Sequence, residues 1–124
     1  MEKWLRKLVD LLERNDKYDP WIDEASVQEV INTVKEEIEE LNQAVERNDI
    51  DNIKEEIGDL LWTAFMVFLS VRKNFDIDGG EVVELLEQKM RSRKPYIFEG
   101  KKPTLDEAAK IWIKAKEREA KKPR

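Results

Sequence analysis

Across residues 60–71 the chain is apolar at almost every position, with only Thr63 and Ser70 interrupting. Wound at about 100° per residue, such a stretch carries an apolar surface nearly all round rather than one stripe, and it has to be covered all round. It falls short of the roughly 20 residues that a membrane-spanning helix needs. The segment therefore reads as the centre of a helical bundle. A chain of 124 residues offers few other helices to surround it, so a second copy is expected to bury part of this surface, as a homodimer or a dimer of dimers. No basic-then-apolar leader opens the sequence, and a cytoplasmic location with no membrane partner is expected.

The rest of the chain is patterned for helices. Trp4, Leu5, Leu8, Leu11 and Leu12 form one stripe in a segment ending near Asn15. Residues 15–25 lack periodicity and read as a loop. Ser26 with Glu29 has the spacing of a capping box, and Val27, Val30, Ile31, Val34, Ile38, Leu41 and Val45 recur every three or four residues up to a turn at Asn48 and Asp49. A third helix runs from Ile50 to about Asn74. The segment 74–79 resembles the start of a calcium-binding loop, but its twelfth position is Leu85 where a bidentate Glu is required, so Asp78 reads as a helix cap. A fourth helix ends before Pro95. Residues 98–103 form a linker, and Thr104 with Glu107 opens a last helix carrying Ala108, Ala109, Ile111, Trp112 and Ala115. The expected fold is all-α: a four-helix-bundle-type core with an additional C-terminal helix, in a single domain over residues 1–124.

Composition narrows the chemistry. With no Cys and no His, disulfides, thiolate or imidazole metal sites, cysteine nucleophiles and histidine bases are excluded. None of the four glycines lies in a phosphate-cradling loop. The 28 acidic residues outnumber the 23 basic ones, which argues against nucleic acid as a partner despite the basic stretch 114–124. Catalysis, if any, has to run on carboxylates, Lys, Arg and a metal.

The carboxylates have a suggestive arrangement. In an antiparallel helical hairpin, residues equidistant from the turn face each other. Glu37 and Asp59 each lie eleven residues from Asn48, and Glu40 and Glu56 each lie eight. Helical projection puts Glu37 on the border of the apolar stripe, with Glu40 further round, and sets Asn52, Glu56, Asp59, Thr63 and Ser70 along one polar strip. Four carboxylates converging there would repel one another unless a hard cation compensates. All-oxygen ligation favours magnesium or manganese over zinc. Gly58, mid-helix, suggests close packing beside the site. Lys89 and Arg93, one turn apart, are candidate phosphate cations that equally suit a helix C-terminus, and Lys54 is a further candidate. Trp21, Tyr96 and Trp112 are candidates for stacking on a base or for packing.

Glu36-Glu37-x-x-Glu40 followed by Glu56-x-x-Asp59, with Gly58-Asp59-Leu60-Leu61 around it, resembles the MazG family of nucleotide pyrophosphohydrolases. Pro20-Trp21 and Ser26 look like the loop before the first motif. Residues 89–98 (KMRSRKPYIF) resemble the segment often ending RRHPHVF, and Trp112 with Lys116 resembles a C-terminal Trp-x-x-x-Lys pair. The resemblance implies magnesium-dependent hydrolysis of nucleoside triphosphates between the α and β phosphates, in a dimerising helical bundle. It implies Glu37, Glu40, Glu56 and Asp59 as metal-binding catalytic residues, with Glu36 at most in an outer role. It further implies Lys89, Arg93 and Lys116 on phosphates, Trp112 or Trp21 on the base, and a role in clearing the nucleotide pool. Departures fall at residues 21–25, where relatives often have WDxxQT, and at Lys94 and Tyr96, where both histidines usually stand. They bear on substrate preference. Alternatives are a relative selective for one nucleotide (dCTP, dUTP or phosphoribosyl-ATP), or a non-catalytic helical module binding a basic partner.

Overall fold

The computed structural model describes residues 1–121, and among these every regular element is helical. They are α1 (Glu2–Tyr18), α2 (Pro20–Glu24), α3 (Val27–Glu46), α4 (Ile50–Phe75), α5 (Gly79–Arg93), a 3₁₀ turn (Pro95–Ile97) and α6 (Leu105–Ala120). The all-α expectation holds. The helices group into two compact units, one spanning Met1–Ile77 and the other starting at Asp78. Of the basic stretch 114–124, residues 122–124 lie outside the described residues.

In the first unit α3 and α4 form the antiparallel hairpin. Ser26 opens α3 with the expected capping box: Glu29 N donates to Ser26 Oγ at 3.1 Å while Glu29 Oε1 reaches back to the Ser26 amide. The turn uses backbone geometry that Asn tolerates, with Asn48 in the left-handed region at φ 53°. Asn48 N donates to Val45 O at 3.0 Å and Asp49 N to Ala44 O at 3.2 Å, a Schellman ending that satisfies carbonyls α3 would otherwise leave open. Asp49 then caps α4, its side chain accepting from Asn52 N at 3.3 Å. The α3 ending and the α4 cap thus meet within three residues, which makes the connection tight.

Residues 15–25 are not a plain loop. α1 continues to Tyr18, and Asp19 caps a five-residue helix, accepting from Trp21 N at 3.0 Å, with Pro20 in the first turn where its missing N–H is no loss. This short helix is held by tertiary contacts that periodicity cannot show. Ile22 and Ala25 join Leu12, Val30, Met66 and Leu69 in the buried core, and Lys73 donates to both Asp23 Oδ1 and Asp23 O. Asn15 donates to Met66 Sδ at 3.1 Å, and Arg72 pairs with Asp16 at 2.7 Å, tying α1 to α4. Each fully buried aliphatic in that core contributes about 1.5–3 kcal/mol. One chain does not finish covering α4: Ile57, Leu61 and Phe65 remain 44%, 42% and 39% exposed.

The second unit pairs α5 with α6. Its strongest tie is Arg93, which donates to both carboxylate oxygens of Glu119 at 2.9–3.3 Å and lies 5.2 Å from the Trp112 ring centroid. Arg91 covers the Phe98 ring at 4.1 Å. Ala115 is fully buried, as a small side chain must be where two helices approach. The 3₁₀ turn closes through Lys101 N donating to Tyr96 O at 3.0 Å, with Gly100 at φ 66° where a side chain would be strained.

Candidate functional site

The hairpin register brings the acidic residues together. Glu37 on α3 and Glu56 and Asp59 on α4 each offer a carboxylate oxygen within 4.8 Å of the other two, a group of carboxylates able to hold a metal ion. Glu40 lies close enough for its charge to act on both Glu37 and Glu56. Glu37 and Glu56 are half-buried, whereas Asp59 and Glu40 are exposed. The site thus has a sheltered floor and an open rim.

Its electrostatics are unfavourable as they stand. The Glu37 carboxyl is pushed up to about 7, first by desolvation on burial and then by the charges of Glu40, Asp59 and Glu56. Glu56 is also raised, by burial first and then by the hydrogen bond and charge of Glu40, while its hydrogen bond with Glu37 pulls the other way. None of the ion pairs among the described residues involves these four acids. Glu37 Oε2 and Glu56 Oε2 are both buried without any hydrogen-bond partner. Buried polar atoms are nearly always partnered, and leaving a carboxylate oxygen unmatched is costly. An oxygen-only donor set with two orphaned oxygens fits a hard divalent cation.

The other sequence candidates sit as follows. Glu36 and Lys54 are exposed. Trp21, in the first turn of α2, is 42% exposed. A Cβ added at Gly58 would meet nothing within 4 Å, so close packing does not explain that glycine, and the expectation drawn from it is corrected. In the second unit, Arg93 is engaged by Glu119, which raises the guanidinium pKa and lowers that of the carboxyl through their hydrogen bonds. Trp112 is half-buried beneath Arg93 and Lys94, and Tyr96 belongs to the 3₁₀ turn. Lys89 and Lys116 have no ion-pair partner among the described residues. Two residues that sequence reasoning passed over are Glu119, 26 positions from the arginine it binds, and Arg47, whose adjacency to the turn was the one available signal.

Comparison with known proteins bears on the family. The family model for the MazG nucleotide pyrophosphohydrolase domain matches residues 25–98. Two curated relatives, nucleoside triphosphate pyrophosphohydrolases of Mycolicibacterium smegmatis and Mycobacterium tuberculosis, are each 30% identical over 93% and 89% of this chain. The chain spans only 37% and 35% of their lengths. A crystal structure of a MazG-related protein from Thermotoga maritima superposes with a TM-score of 0.82 at 33% identity, covering 90% of this chain and 98% of the other.

Proposed function

The chain belongs to the MazG nucleotide pyrophosphohydrolase family, and on that premise we propose that it hydrolyses nucleoside triphosphates between the α and β phosphates to a monophosphate and pyrophosphate. The observation that carries the reading is the pair of buried, unpartnered oxygens, Glu37 Oε2 and Glu56 Oε2, within an all-carboxylate group. We assign Glu37, Glu40, Glu56 and Asp59 to hold magnesium, with manganese as a substitute. A bound divalent cation supplies neutralisation of phosphate charge and a lowered pKa for the attacking water. The chain's own work is to hold four carboxylates on facing helical turns and to accept the water's proton on one of them.

For substrate contacts we assign Lys89 and Lys116 to phosphate, and Trp21, Tyr96 and Trp112 to the base. Arg93 spends Nε and Nη2 on Glu119, and its Nη1 is assigned to phosphate beside them. The names of the curated relatives support a triphosphate substrate. We further propose one functional domain over residues 1–124, working in the cytoplasm to cleanse the nucleotide pool. We propose a homodimer or dimer of dimers, supported by the exposed Ile57, Leu61 and Phe65 on α4.

A panel of ribo- and deoxyribonucleoside triphosphates, each with magnesium or chelator, tests the reading. Magnesium-dependent monophosphate plus pyrophosphate is expected. Diphosphate plus phosphate would move the cleavage position, turnover of one base alone would mark a selective relative, and metal-dependent stabilisation with no turnover would favour the binding module.

A further inference from the structure

Glu56 divides its two oxygens between different tasks. Oε2 is buried and unpartnered, whereas Oε1 is reached by Asn52, one turn earlier on α4. With its amide assigned so that nitrogen faces the carboxylate, Asn52 donates to Glu56 Oε1 at 3.3 Å and its carbonyl oxygen accepts from Arg47 Nη2 at 2.8 Å. That orientation is forced chemically. A guanidinium only donates and a carboxylate only accepts, so a single amide rotamer satisfies both neighbours. Arg47 is the C-cap of α3, and Asn52 lies in the first turn of α4, with Asp49 capping its backbone N–H. The relay therefore starts at the hairpin connection, where the Schellman ending and the Asp49 cap hold the backbone.

We propose that Arg47 and Asn52 are positioning residues for the cation site: Arg47 orients the Asn52 amide, which pins one oxygen of Glu56 and leaves the other facing the acidic group. This inference rests on the metal reading of the cluster. Without the relay, Glu56 keeps its identity but gains rotamers, and repulsion from Glu40 and Asp59 drives it outward. A ligand that has to be re-ordered at each binding event binds more weakly.

The two residues differ in the sign that simpler physics would give. Removing a positive charge near a cation site strengthens cation binding by Coulomb's law alone, whereas losing the relay weakens it. The experiment titrates the full chain with manganese ions alone, following free manganese by its paramagnetic resonance, with circular dichroism to monitor helicity. The wild type is expected to bind saturably and Glu56→Ala to lose binding. Asn52→Leu should weaken affinity by about tenfold, the lower end of outer-shell effects. Arg47→Met, at an exposed position, should weaken it less, and the double variant should match Asn52→Leu because both act through one amide. Unchanged affinity in Asn52→Leu, tightening in Arg47→Met, or additive losses in the double variant would each overturn the relay while leaving the metal reading intact. A wild type that binds no manganese would overturn the metal reading and the relay with it.

Discussion

The two units handle charge in opposite ways. At the hairpin, Glu37, Glu40, Glu56 and Asp59 crowd like charges together, and two buried oxygens go unanswered. Between α5 and α6, Arg93 and Glu119 meet through both carboxylate oxygens, and each makes the other's charged form easier to keep. A satisfied pair explains itself as architecture. An unsatisfied cluster held in place by a well-formed fold points outside the chain for its missing partner.

The sharpest break in that comparison is functional. Glu40→Ala or Asp59→Ala should bring triphosphate hydrolysis down to background while circular dichroism shows unchanged helicity, whereas Glu119→Gln should keep substantial turnover. Full activity in either alanine variant would place the chemistry elsewhere.

Stability should separate the units next, through pH. Glu37 keeps its proton up to about 7 when folded, against an ordinary value of 4.5, so between those limits the folded state holds more protons than the unfolded one. Raising the pH through that window weakens the metal-free protein through this group. Glu119 behaves oppositely. Its folded pKa lies below 4.5, so its contribution is present above that value and is lost as pH falls through the lowered one. Thermal unfolding with chelator from pH 4 to 8 checks both signs, with Glu37→Gln removing the loss on the alkaline side. Magnesium at a hundred times its Kd should restore about 2.7 kcal/mol. A metal-free protein equally stable at both ends, with or without Glu37, would contradict the crowding described above.

A smaller effect comes from truncating the satisfied pair. Arg93→Met leaves Glu119 without its partner, and the unfolding midpoint should drop, while Glu37→Gln in chelator should raise it above pH 7. Smallest is Gly58→Ala. With nothing within 4 Å of the added Cβ, only helix propensity acts, and stability should rise by about 1 kcal/mol. A loss instead would reveal a neighbour supplied by a second copy of the chain.

The sequence made the hairpin legible because its determinants are local: Ser26 and Glu29 mark one end, Asn48 the turn, and helical geometry then pairs Glu37 with Asp59. Residues 15–25 were only partly legible: Asp19-Pro20 is a local helix start, but five residues are too few to show a period. Their short helix depends on Asp19 as a cap and on Lys73, 50 positions away from Asp23. The Arg93–Glu119 pair likewise joins side chains across a linker, and no periodicity announces it. Gly58 misled because a mid-helix glycine signals either close approach or mere tolerance, and only coordinates separate the two.

The Asn48 turn works as a vernier. A residue added within α4 between Ile50 and Glu56 would slide the carboxylates beyond it by about 1.5 Å and rotate them by about 100° relative to the turn, carrying Glu56 and Asp59 off Glu37 at once. The turn itself holds none of the four carboxylates, yet the spacing counted from it decides which of them meet.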